Sequence, residues 1–137
     1  MSVTGDQQSH RVGEEARARR DAILVPAIDY IESWLDGDPD RMGRCLHPEL
    51  IKREIENDGD GRPVVTTMSH AEMVAATGAG YGRQYERPYD ATVLDDFEDI
   101  ATVRVLSSVY MDYLHVGRFG DRWLIVNVLW RRRPLSP

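Results

Sequence analysis

"YMDYLHVGRFGDRWLIVNVLW", residues 110–130, consists of two apolar runs joined through Gly120 and Asp121. Two β-branched and aromatic runs flanking a two-residue turn that contains glycine predict an antiparallel hairpin. Within the apolar pattern stand Asp112, Tyr113, His115 and Asn127. A polar group buried without a partner costs free energy, so what these four face decides how the domain can act. With Gly120 and Asp121 as the central turn residues, Leu114 pairs with Asn127, Asp112 with Leu129, His115 with Val126 and Tyr113 with Val128. That register puts Asp112 and Asn127 on one face and Tyr113 and His115 on the other. A slip of one residue would exchange the partnerships.

Upstream of the hairpin, two further strands are expected over residues 91–97 and 101–107, so the C-terminal half reads as a four-stranded meander. Before it, "MSHAEM" at residues 68–73 carries a full helix-start signal: Ser69 as N-cap, Glu72 as its capping-box partner, and Met68 with Met73 as a hydrophobic staple. The third helix this opens should fade at Gly78. Between residues 50 and 68 two short strand-like runs flank "NDGDG", a second hairpin. From Glu14, Leu24, Ala27, Ile28, Ile31 and Leu35 recur at spacings of three and four, which predicts a long first helix with Tyr30 and Trp34 flanking its apolar stripe. Gly37 ends it, and Asp38-Pro39 starts a short second helix that must stop before Pro48. Residues 1–12 read as a flexible tail and 13–137 as one domain. The class is α+β, because helices and strands are segregated rather than alternating.

At 137 residues the chain can bury a core without disulfides or metals, and its charged fraction of 29% is ordinary for a soluble domain. A net charge of −6 argues against a nucleic-acid surface, and Arg131–Arg133 read as a solvated terminus. No apolar run is long enough to span a bilayer and no secretory leader is apparent; with Cys45 as the single cysteine, a cytoplasmic location is expected. "WLIVNVLW" (123–130) is apolar on both faces, so one face should cover the core and the other a second subunit, making a homodimer.

The order of elements, "LHPEL" at 46–50 and above all residues 112–130 resemble the nuclear transport factor 2-like superfamily, within it the polyketide-cyclase-like and "putative lumazine-binding" branch. The resemblance spans roughly residues 22–134. It implies a cone: a curved, mixed, mainly antiparallel sheet of about six strands with three helices, the long first helix closing a pocket, commonly dimeric. It also implies isomerases, dehydratases, cyclases and pocket proteins without a reaction, and fold alone does not choose among them.

Two readings stay open for each polar residue. Asp112 on an apolar strand can be a general base, or a protonated donor to an oxyanion, with Asn127 orienting the substrate. Alternatively it forms an ion pair with Arg131 or Arg104. His115 can exchange protons near neutral pH with Tyr113 as donor, or simply bond a backbone carbonyl. His47 can cap a helix end or point into the cone mouth, while Tyr30 and Trp34 suit a core or pocket wall for flat, cyclic ligands. "NDGDG" is too short for a calcium loop, "GAGYG" at 78–82 follows a helix and is no dinucleotide fingerprint, and no His or Cys pair has zinc spacing. The expectation is a small cyclic or aromatic ligand with no metal or cofactor, or else a cofactor-independent acid-base enzyme, or a structural dimer with a filled cavity.

Overall fold

The computed structural model describes residues 5–134. Helix α1 (Gly5–Asp36) is followed by α2 (Pro39–Cys45), β1 (Leu46–Asn57), β2 (Pro63–Ser69), α3 (His70–Gly78), β3 (Tyr89–Phe97), β4 (Ile100–Ser107), β5 (Tyr110–Phe119) and β6 (Arg122–Arg132). The strands form one open mixed sheet in the order β2-β1-β6-β5-β4-β3. Only β1 and β6 run parallel; every other neighbouring pair is antiparallel. The expected α+β cone with three helices and six strands is therefore present.

Local chemistry accounts for the element boundaries. Asp38 caps α2 by accepting from the Arg41 N–H at 3.1 Å, and Gly37 takes φ +67° at the end of α1, where a side chain would be strained. Ser69 and Glu72 form the complete capping box that starts α3. The "NDGDG" segment is a turn in which the Asp58 carboxylate accepts from the N–H groups of Asp60 and Arg62, both at 2.9 Å. Helix α1 begins at Gly5 rather than near Glu14. Residues 1–4 of the expected tail lie outside the described residues; over 5–12 the strong helix formers that follow propagate the helix backwards at little cost.

The face of α1 against the sheet carries Ile23, Ala27, Tyr30, Ile31 and Leu35, all buried. Leu24 and Ile28 are only half-buried, so the stripe is rotated from the one marked by hydropathy and takes in Tyr30. Leu46 and Leu50 of β1, Val103 and Val105 of β4, Leu114 and Val116 of β5, and Ile125 and Val128 of β6 complete the core.

The register of the last hairpin corrects the expected one. From the turn the two agree as far as Val116↔Ile125, but the next pair is His115↔Asn127, not His115↔Val126. Val126 is the extra residue of a β-bulge. Beyond it Leu114 faces Val128, Tyr113 faces Leu129 and Asp112 faces Trp130. The bulge turns Asn127 to the outer face beside His115, so Asp112 and Asn127 do not share a face. It also explains how "WLIVNVLW" buries Trp123, Ile125 and Val128 while leaving Leu129 exposed.

Candidate functional site

The inner face of the sheet and α1 converge on a cavity of about 370 Å³ whose wall includes Tyr30, Trp34, Lys52, Tyr110, Asp112 and Trp130. These six residues arrive from four elements. Tyr30 and Trp34 lie one turn apart on α1. Lys52 follows Leu50 on the inward face of β1 by strand alternation. Asp112 points inward on β5, two residues after Tyr110, with Trp130 opposite it on β6.

Three of these groups make one hydrogen-bonded chain. The Lys52 ammonium donates to Tyr30 Oη at 2.6 Å, and the Tyr30 hydroxyl donates to Asp112 Oδ2 at 2.6 Å. Lys52 Nζ also lies 3.8 Å from Met73 Sδ, its other hydrogen-bond contact among the described residues. Three rings surround the nitrogen, with centroids 5.0 Å away in Tyr30, 5.8 Å in Trp34 and 5.0 Å in Trp130, a cation–π cage. Tyr110 joins the aromatic wall edge-on, 5.3 Å from both Tyr85 and Trp130 between centroids.

Lys52 and Asp112 are 7% and 5% exposed, so desolvation governs both. Burial raises the Asp112 carboxyl above its usual range, with nearby Lys52 and the Tyr30 hydrogen bond pulling the other way. Burial lowers the Lys52 ammonium, opposed by Asp112 and Glu54. The Tyr30 phenol is pushed well above 10 by burial and then by the Asp112 charge. The carboxyl and the ammonium thus converge, and the interval over which water would keep both charged narrows. Asp112 Oδ1 and Trp34 Nε1 are buried with no hydrogen-bond partner among the described residues.

The structure brings Asp112, Tyr30 and Trp34 together and sends the other candidates elsewhere. His115, Asn127 and Tyr113 are exposed on the outer face, with His115 Nδ1 and Asn127 Nδ2 3.5 Å apart. His115 and Asn127 border a second, larger concavity of about 570 Å³ together with Phe97, Ile100 and Phe119. That groove is shallow and solvent-facing, and it lacks the buried polar groups that would orient a ligand. His47 stacks on Phe119 at 4.6 Å and accepts from the Glu49 N–H at 3.0 Å, so it caps the local turn outside the cavity. Arg104 approaches Asp90, at 3.8 Å, rather than Asp112.

Lys52 is the residue that sequence reasoning missed. It is the only lysine in a chain otherwise using arginine, and alternation from Leu50 already places it inward. Nothing local could reveal that it meets Tyr30, because that contact joins a helix to a strand.

A family model described as "Putative lumazine-binding" matches residues 18–131. Among solved structures, a nuclear transport factor 2-like protein of unknown function from Shewanella baltica is similar with a TM-score of 0.66 at 15% identity, covering 98% of this chain and 100% of that one. A ketosteroid isomerase-like protein from Erwinia carotovora gives 0.60 at 15% identity, covering 85% and 96%. The beta subunit of a "putative aromatic-ring-hydroxylating dioxygenase" from Novosphingobium aromaticivorans gives 0.63 at 11% identity, covering 88% and 93%. At these identities the likeness is one of fold. None of the curated proteins matches the chain.

Proposed function

The chain belongs to the "Putative lumazine-binding" family of the nuclear transport factor 2-like superfamily, and from that premise we propose that its aromatic cavity binds a compact, planar cyclic molecule. One observation carries this reading: Asp112 lines the cavity, and its Oδ1 is buried without a hydrogen-bond partner among the described residues. An unsatisfied buried polar atom costs roughly 1–3 kcal/mol, so a ligand that offers a donor to Asp112 recovers that cost. The rings of Trp34, Tyr110 and Trp130 favour a flat apolar body, and a cavity of about 370 Å³ accommodates two or three fused rings.

Titration with a lumazine, a steroid and a polyketide-like aromatic tests the proposal by thermal shift and tryptophan fluorescence. A saturable shift, about 2.7 kcal/mol at a hundred times Kd, with altered Trp34 and Trp130 emission is the expected result. A panel in which nothing shifts the melting temperature and nothing changes the emission refutes it.

A second reading makes the domain a cofactor-independent acid-base enzyme with Asp112 as proton carrier. The upward push on its buried carboxyl at the wall of an aromatic cavity favours it. Hydrogen–deuterium exchange at the carbon next to a bound cyclic ketone, lost in Asp112→Asn, is its test. His115 has no part in this reading, since it opens to the other side of the sheet.

The outer face, where Tyr113 and Leu129 are 45% and 46% exposed, is proposed to pair with a second copy of the chain. No described helix is long and apolar enough to cross a membrane, and we propose a cytoplasmic setting for this assembly. Leu129→Arg should convert a dimer to a monomer in light scattering, and an unchanged mass removes this face as the interface.

A further inference from the structure

The Lys52 amine, buried in the cavity wall, is left unused by noncovalent binding. We propose that Lys52 captures a cyclic or aromatic aldehyde or ketone as an imine, with Tyr30 and Asp112 acting as the proton relay that frees and then re-protonates the reacting atoms. This inference rests on the cavity reading above.

The direction of the hydrogen bonds is the first support. Lys52 donates to Tyr30 and Tyr30 donates to Asp112, each at 2.6 Å, so a shift of one proton along each bond leaves a neutral amine and a carboxylic acid while Tyr30 ends as it began. The second support is acceptor count. An ammonium has three N–H donors, and here the partners are one oxygen at 2.6 Å and one thioether sulfur at 3.8 Å. A protonated imine has one N–H, which Tyr30 alone satisfies, and the Tyr30, Trp34 and Trp130 rings still stabilise its positive charge. The third is the unpartnered Asp112 Oδ1 on the same wall. Burial, which disfavours the charge on Lys52 and on Asp112 alike, eases the first proton shift.

The reaction balances as follows. After the relay, the Nζ lone pair attacks the carbonyl carbon and the C=O π pair moves to oxygen. One amine proton then passes to that oxygen, giving a neutral carbinolamine. Asp112 gives its proton to the carbinolamine hydroxyl, which leaves as water while the nitrogen lone pair closes the C=N bond. Asp112 returns to carboxylate, and the imine nitrogen keeps one proton.

Because Lys52 is the sole lysine, the unmodified chain is itself the test. The full-length protein is incubated with naphthaldehyde, reduced with borohydride, and mapped by peptide mass spectrometry, with naphthylmethanol as the ligand that lacks a carbonyl. One naphthylmethyl group on Lys52 is expected, saturating with aldehyde and suppressed by naphthylmethanol, whereas labelling of the N-terminal amine stays linear and unsuppressed. Tyr30→Phe keeps the cavity and the lysine and should slow Lys52 labelling at least tenfold without slowing the N-terminus. If naphthylmethanol shifts the melting temperature while label appears at the N-terminus alone, imine formation is overturned and the binding reading survives. If neither binding nor Lys52 labelling occurs, both fail. Equal labelling rates in Tyr30→Phe and the unmodified chain remove the relay.

Discussion

Removing a single oxygen, in Tyr30→Phe, separates the buried charge network from the packing around it. The phenyl ring can keep its place in the core, where Tyr30 is 3% exposed, and its cation–π contact with Lys52 at 5.0 Å. What disappears are two 2.6 Å hydrogen bonds, one to an ammonium and one to a carboxylate, in a site from which water is largely excluded. Hydrogen bonds to charged groups contribute about 1.5–3 kcal/mol each, and Asp112 is left with neither oxygen bonded. The expected loss is about 3–5 kcal/mol, in line with breaking a buried pair. A domain of this size has about 5–15 kcal/mol in hand, so the variant should fold and melt roughly 10–20 °C lower. Urea denaturation at neutral pH measures the loss directly, and a cycle with Asp112→Asn should show coupling of at least about 1 kcal/mol. A loss below about 1 kcal/mol, with additive single variants, would mean that Lys52 and Asp112 are hydrated or partnered without Tyr30, and the network argument would be wrong.

Other consequences are open to equally direct measurement. Burial raises the Asp112 carboxyl above its ordinary 3.8, so the folded chain holds that proton more tightly than the unfolded one; the stabilisation is full below 3.8 and is lost as pH rises through the raised folded value. The melting temperature of Asp112→Asn relative to the unmodified chain should therefore climb as pH rises from below 3.8 through the raised folded value, and a flat difference would contradict the sign of the shift. A methyl at position 82 would lie 2.6 Å from the Trp34 indole nitrogen and against the Trp34 carbonyl, so Gly82→Ala should displace that ring, change its emission and weaken ligand binding; unaltered emission and affinity would show that the wall is soft. The Cys45 thiol is buried and pushed up to about 12, so disulfide reagents at mild alkaline pH should modify it at the rate of protein opening and not at that of a free thiol. Ser69→Ala removes the α3 cap and should cost about 1 kcal/mol in denaturant titration with the cavity ligand affinity unchanged.

Signals carried by neighbours in the chain are legible in the sequence alone. The capping box at Ser69 and Glu72, the stop at Gly37, the Asp38 cap and the Gly120-Asp121 turn each depend on residues within a few positions of one another, and each stands where its chemistry requires. So did the α+β order and the resemblance of residues 112–130 to a cone-forming superfamily. Asp112 stands out on its apolar strand, whereas the helical pattern marks Tyr30 and Trp34 only as core or pocket wall and does not show Tyr30 as the bridge it is.

The remainder depended on contacts between distant segments. A bulge at Val126 arises because the curved sheet must bend there to wrap the core, and no periodicity within β6 announces it; yet that one residue decides that Asn127 and His115 look outward while Asp112 looks in. Lys52 and Tyr30 are brought to 2.6 Å because α1 packs on β6 while β1 runs parallel beside β6, which closes late-sequence strands onto early ones. Residue types and local punctuation thus determined which elements form and which side chains are out of place on an apolar face. Only long-range packing, whose free energy is spread over the whole core, decided which of those side chains meet in the same cavity.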